Sequence, residues 1–309
     1  MSGKLEIAVL ADVHGNYLAL KACLDCARRR GIRHFLFLGD YITDHAYPQR
    51  VLEQLYEIKS RYDCRFIRGN REEYMIGYRA NGEKQGDGMP WTDCSAQGAL
   101  LSCYENLKPQ DIDWFENLPV SGRWQIEGAP PLTYCHGSPA RTKARIANDP
   151  AELEQMASLS EGFLIAGHTH RFRRFWVQGK QIVCAGSVGI PTANRSRRSG
   201  PKAGESAKIA QMVLLRPVQG TWRAELLCIP YDWQGAIDNL ETSGLTRRAP
   251  VWAAMLRHAV LTGEDPFGAV PERAAELYRE EAGKQAGWAQ VPEKYWRRAA
   301  GEFGIELWE

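Results

Sequence analysis

The chain of 309 residues has no charge surplus: 39 lysines and arginines face 37 aspartates and glutamates, a formal net charge of +2. That near-balance excludes a histone-like protein and an acidic-tail protein, and no stable nucleic-acid partner is expected. Nor is a leader or a membrane-spanning apolar run expected. Met1-Ser2-Gly3-Lys4 passes straight into a short strand-like stretch, without the long apolar core and small-residue cleavage site of a signal peptide. No membrane association is expected, and the location expected is the cytoplasm. No period of 20–50 residues recurs, which excludes solenoids and propellers. The eight cysteines lack a framework as well. Only Cys23 and Cys26 are closely spaced, and no second Cys-x-x-Cys completes four zinc ligands. They lie in Tyr17–Arg30, whose apolar residues recur at helical spacing, so they read as packed free thiols.

What is present is an ordinary globular composition, 44% hydrophobic and 25% charged. Three times a short apolar run ends in a polar turn and is followed by a helical pattern. Leu5–Leu10 leads to Asp12-Val13-His14-Gly15-Asn16, Phe35–Leu38 leads to Gly39-Asp40-Tyr41, and Cys64–Ile67 leads to Gly69-Asn70-Arg71-Glu72. Such units build a largely parallel sheet, and ligands collect at the carboxyl ends of its strands. Thr92–Leu118 reads as helical in two pieces, the second starting at Pro109. From Val120 to Ile229 the pattern becomes rich in strands, with tight hairpins at Gln178-Gly179 and Gln219-Gly220, so a second sheet packed on the first is expected. Asn194–Glu205 is a polar, basic stretch expected to be a mobile loop, its Arg195, Arg197 and Arg198 solvated. After Asp232 the chain turns helical, with Pro250, Pro271 and Pro292 suited to first turns. Trp252, Trp288, Trp296 and Trp308 are expected to dock that tail on the main domain.

Five signatures carry chemistry: Asp12-x-His14, Gly39-Asp40, Gly69-Asn70-Arg71-Glu72, His136-Gly137 and Gly167-His168-Thr169-His170. Alternate residues of an extended strand end share one side, so Asp12 with His14, and His168 with His170, can face one pocket. Two carboxylates, one carboxamide and four imidazoles are too many donors for one tetrahedral zinc. They suit two metals sharing a bridging carboxylate, with room for a water or hydroxide between them. Four imidazoles against two carboxylates are poor ligands for Mg²⁺ or Ca²⁺ and favour two divalent transition-metal ions, manganese first, with iron, zinc, cobalt or nickel as alternatives. Two such ions would leave the pocket positive and attractive to a phosphate.

With His136-Gly137-Ser138-Pro139 and Gly186-Ser187-Val188-Gly189-x-Pro191 also in place, the sequence from about Lys4 to Ile229 resembles the calcineurin-like metallophosphoesterase superfamily, in particular its small bacterial and archaeal phosphodiesterase branch. The resemblance implies a four-layer α/β/β/α sandwich of two packed mixed sheets over residues 1–231, with residues 232–309 as a helical C-terminal extension packed on it. It implies that Asp12, His14, Asp40 and His170 hold the first metal. Asp40, Asn70, His136 and His168 would then hold the second, Asp40 bridging.

One position departs from that family's pattern. Where its motif continues Asn-His, this chain has Arg71. A guanidinium does not release a proton at working pH, so it cannot be an ordinary general acid. It can clamp a phosphoryl oxygen and stabilise developing charge; a salt bridge to Glu72 or Glu73 is the alternative. Asn70 stands beside it at the reaction centre, and His45 is a candidate proton donor for the leaving group. Asn16 is a candidate phosphate contact or a helix cap. The expected activity is hydrolysis of a phosphodiester or dinucleotide-polyphosphate, the substrate being a small phosphorylated molecule such as a nucleotide, by attack of a metal-bridging hydroxide. Alternatives are a phosphomonoesterase or protein phosphatase, or a non-catalytic interaction scaffold on the same fold. His34 and His258, without partner motifs, are expected to be structural or surface residues.

Overall fold

The computed structural model describes residues 5–146, 152, 154, 156, 159–192 and 203–308. Two five-stranded mixed sheets form its centre. In the first, β1 (Ile7–Leu10), β2 (His34–Phe37) and β3 (Asp63–Phe66) run parallel. The long antiparallel hairpin of β9 (Ile209–Val218) and β10 (Thr221–Pro230) completes it through β1, giving the order β10-β9-β1-β2-β3. In the second, β5 (Leu132–Cys135), β6 (Phe163–Ala166) and β8 (Lys180–Cys184) are parallel. Antiparallel β4 (Ser121–Trp124) and β7 (Arg173–Val177) close its two edges.

Strand periodicity explains the layering. Every side chain of β1 is buried, but alternate residues serve different cores. Ile7 and Val9 join Leu36, Phe163, Ile165, Val183 and Trp222 between the two sheets. Ala8 and Leu10 face the other way, toward Leu20, Leu24, Leu55 and Ile58 of α1 (Tyr17–Arg29) and α2 (Pro48–Arg61). A strand covered on both faces reads as a continuous apolar run, which is why Leu5–Leu10 is legible as buried. The expected first-sheet strands, the second sheet and both hairpins are present, as are α3 (Asn70–Ala80) and the break between α4 (Gly98–Glu105) and α5 (Pro109–Glu116). Thr92–Gln97 precedes α4 as turns rather than helix.

The chain beyond Asp232 forms helices Trp233–Thr242, Leu245–Arg248, Pro250–Thr262, Ala269–Ala282 and Glu293–Glu302. They share an apolar cluster with Ala99 and Ile190 of the preceding chain, and Trp252 and Trp296 are buried in it. Trp288 does not dock: it is 43% exposed. Pro250 and Pro271, the first and third residues of their helices, lie in first turns as expected, whereas Pro292 is the N-cap of the last helix. Cys23 is buried and Cys26 partly buried, both free thiols. Arg195, Arg197 and Arg198 lie outside the described residues, and Ala203–Ser206 is one helical turn rather than loop. Among the described residues no helix is long and apolar enough to cross a membrane.

Candidate metal centre

The signatures meet between the ends of β1, β2, β3, β5 and β6, but not by the alternation of an extended strand. β1 stops at Leu10. Asp12, His14, Asp40, His168 and His170 all follow in left-handed conformations, with φ between 49° and 67°. Each such non-glycine residue costs ~1–3 kcal/mol and persists only when its surroundings fix it. Backbone hydrogen bonds supply that constraint. The amides of Asp12, His14 and Gly15 donate to the carbonyls of Gly39, Asp40 and Tyr41 at 2.9–3.1 Å. Val188 and Gly189 donate to Ala11 and Asp12, and the Ser187 hydroxyl donates to the Asp12 carbonyl at 2.7 Å. A Cβ at Gly189 would collide with the Val13 carbonyl. The Gly-Ser-Val-Gly segment thus holds the first loop in its strained turn.

Two candidate ligand clusters result. Donor atoms of Asp12, His14 and His170 lie within 4.8 Å of one another, as do those of Asp40, His136 and His168. The Nε2 atoms of His14 and His170 converge to 2.9 Å, and His170 Nε2 is 3.4 Å from Asp12. Asp40 Oδ2 stands 3.7 Å from His14 Nε2 and 3.4 Å from His136 Nε2, between the two clusters. The Asn70 side-chain oxygen, Oδ1, is 3.2 Å from His136 Nε2. The other atom of each ring is committed elsewhere. His136 Nδ1 meets the Leu38 carbonyl at 2.7 Å, and His14 Nδ1 lies 2.6 Å from Asp44, which turns both Nε2 atoms inward.

The electrostatics fit cations. Burial would raise the Asp12 and Asp40 carboxyls, yet His170 beside the first and His136 beside the second hold both below the usual range. Burial disfavours a charged His136, but Asp40 pushes it up to about 10; Asp12 likewise raises His170. His168 goes the other way, to about 4, through burial and the charge of His136. Four imidazoles and two buried carboxylates that draw positive charge between them form a donor set that fits two divalent transition-metal ions.

Around the ligands the structure adds groups that local sequence patterns do not flag. Asp44 is buried and collects four partners: His14, Arg71 at 3.2 Å, the Thr43 hydroxyl at 2.9 Å and the Trp252 indole N–H at 2.8 Å. Glu72 accepts the amide N–H groups of Asp40, Tyr41 and Gly69 at 2.8–2.9 Å, so it braces the loops instead of pairing with Arg71. Burial and the Asp40 charge push its carboxyl up to about 7. Glu73 likewise turns away, to Thr142 and Arg68.

Arg71 points into a cleft of about 610 Å³ that also reaches His168 and His170. Its partner is Asp44, neither Glu72 nor Glu73, and its buried Nε has no hydrogen-bond acceptor among the described residues. Asn16 is used by the protein itself. Its side-chain oxygen caps α1 by accepting the Ala19 N–H, and its amide donates to Gly189 and Tyr231. His45 lines a different, smaller pocket of about 270 Å³ with Cys103 and Leu245, and burial lowers it to about 4, so it is neutral near pH 7. Neither residue lines the larger cleft: of the two readings of Asn16 the structure shows the helix cap, and His45 stands in the separate pocket. His34 pairs with Asp63 and His258 with Glu264, as structural residues do.

The family model of the calcineurin-like phosphoesterase superfamily domain matches residues 5–200. Among curated proteins the chain is similar to the uncharacterized protein MJ0912 of Methanocaldococcus jannaschii, 22% identical over 167 residues, which are 54% of this chain and 63% of that protein. It is also similar to the serine/threonine-protein phosphatase PP2A-like PPG1 of Candida albicans, 27% identical over 143 residues, 38% of this chain and 34% of that one. The match thus spans less than two thirds of either relative. Two solved structures share the fold. The hypothetical protein PH1004 of Pyrococcus horikoshii has a TM-score of 0.64 at 18% identity, over 84% of this chain and 99% of that one. The metallophosphoesterase of Sphaerobacter thermophilus has a TM-score of 0.60 at 19% identity, over 83% and 100%. Both ligand clusters lie inside the matched span, and the chain belongs to the calcineurin-like phosphoesterase superfamily.

Proposed function

We propose that the protein is a metal-dependent phosphoesterase that cleaves phosphodiesters or dinucleotide-polyphosphates. Asp12, His14, Asp40 and His170 would hold one ion, and Asp40, Asn70, His136 and His168 the other. Manganese is the first choice, with iron, zinc, cobalt or nickel sharing the donor chemistry. Residues 1–231 form the catalytic domain and 232–309 the extension that finishes its cleft. The observation that carries the reading is the position of Asp40 between two ligand clusters that open onto one arginine-lined cleft.

Two divalent ions bound there would supply Lewis acidity and a water of lowered pKa. The chain's own part is positional and electrostatic. Asp44 orients His14, the Leu38 carbonyl orients His136, and the left-handed loops keep all the donors converged. Burial would lower the Arg71 guanidinium, yet Asp44 and Asp40 raise it further, so it stays charged on the cleft wall, where a guanidinium can donate to phosphoryl oxygens. A residue that cannot give up a proton suits leaving groups that depart without one, and this supports a phosphoanhydride, or a diester with a stabilised leaving group, over an alkyl ester.

The test compares bis(p-nitrophenyl) phosphate with p-nitrophenyl phosphate at saturating Mn²⁺. Expected are Mn²⁺-dependent turnover, faster for the diester, and a loss of about 10²-fold in kcat/KM for Arg71→Ala. A protein that purifies without metal and stays inactive with Mn²⁺ refutes the assignment. A monoester preference refutes the diester reading.

A further inference from the structure

The cleft has two unlike walls. One carries His168, His170 and Arg71; the other comes from the C-terminal extension and includes Phe267 and Trp288. Trp288 opens a short 3₁₀ turn, Trp288–Gln290, and leaves 43% of its surface exposed. Phe267 is held in place: its ring lies 5.3 Å from that of Trp252, whose indole N–H is bound to Asp44. The aromatic wall is therefore tied to the same carboxylate that orients His14. Arg145 lines the cleft too and pairs with no carboxylate among the described residues.

An exposed tryptophan on the wall of a concave polar cleft leaves a large flat apolar face without a protein partner. Flat faces of this kind bind nucleobases by stacking, with little preference for which base. The volume of about 610 Å³ falls within the range of small-molecule sites, with room beyond a single phosphate. We propose that Trp288 and Phe267 form a stacking subsite for the base of a nucleotide whose phosphate sits at the ligand clusters, with Arg145 serving the next phosphate of a longer chain. This rests on the phosphoesterase reading and adds a recognition role for the extension.

The test is equilibrium binding by calorimetry, with the full chain in Mn²⁺. The probes are AMP and ribose 5-phosphate, which share the phosphate and sugar and differ by the base. The wild-type protein is expected to bind AMP at least about tenfold more tightly, since stacking one base is worth ~1–3 kcal/mol and ~1.4 kcal/mol is tenfold. Trp288→Ala is expected to erase that difference while ribose 5-phosphate binds as before, and Trp288→Phe to keep most of it. Equal wild-type affinities for the two probes overturn the subsite, and this needs no folded variant. An equal loss for both probes in Trp288→Ala overturns it too. If bis(p-nitrophenyl) phosphate is turned over while AMP gains nothing, only the subsite falls. If neither turnover nor binding of either probe is seen, the phosphoesterase reading falls with it.

Discussion

Asp44→Asn removes one charge from the centre while keeping the side chain's shape. Oδ2 of the native carboxylate faces His14 Nδ1, the Arg71 guanidinium and the Thr43 hydroxyl, while Oδ1 accepts the Trp252 indole N–H. An amide has one acceptor atom. If its oxygen serves Trp252, its NH₂ points at three donors; if it flips, Trp252 is left facing NH₂. Either way Arg71, whose side chain is only 18% exposed, loses the negative charge it pairs with. Removing one member of a buried pair costs ~3–5 kcal/mol. At ~2.1 cal/mol/K per residue of unfolding entropy over the 309 residues, that lowers Tm by about 5–8 °C. Loss of the carboxylate that orients His14 is also expected to weaken metal binding ~10–100-fold. Thermal melting in EDTA reads the first effect and a Mn²⁺ titration by calorimetry reads the second. Asp25→Asn, at a surface i,i+4 pair with Lys21, is the control and should shift Tm by less than about 1 °C. Melting and Mn²⁺ affinity both unchanged in Asp44→Asn would refute the role assigned to this carboxylate.

Glu72→Gln takes an acceptor from a cradle of three buried N–H groups, at a cost of ~2–4 kcal/mol. Melting at pH 8 should show a Tm lower by about 3–6 °C, and an unchanged Tm would mean that the loops do not depend on it. Gly69→Ala would drive a Cβ into the Asp40 carboxylate and to 2.6 Å from the Asp40 amide nitrogen. A cost of ~1–3 kcal/mol and a weaker Mn²⁺ isotherm are expected. Gly77→Ala, in open space inside α3, should instead stabilise by ~0.5–1 kcal/mol; equal behaviour of the two variants would undo the steric explanation.

Much of the fold is legible in local pattern. The apolar runs of β1, β2 and β6 mark strands covered on both faces, and Asn16 and Asp232 announce helices that they do cap. The ligand candidates are legible for a related reason: histidine, aspartate and glycine at successive strand ends have no local role that explains them all. Less legible is how they are presented. Alternation suggests extended strand ends, whereas Asp12, His14, Asp40, His168 and His170 occupy left-handed turns that only the lacing of neighbouring loops sustains. Asp44 gives a weak local signal, an acid four residues after Asp40. Glu72 looks like one member of a charged helix face.

The sequence alone determined which side chains are available as ligands and in what order the chain delivers them, because residue type and strand-end position are local properties. Tertiary structure decided which partner each one takes. His14 meets His170 across 156 positions, and Asp44 meets Trp252 across 208. No periodicity records contacts at such separations; they exist because two sheets and a helical extension pack together and exclude water. That packing turned Arg71 from a helix-surface charge into a cleft residue tied to Asp44. It also assigned His45 to a separate pocket and set Trp288 on the cleft wall.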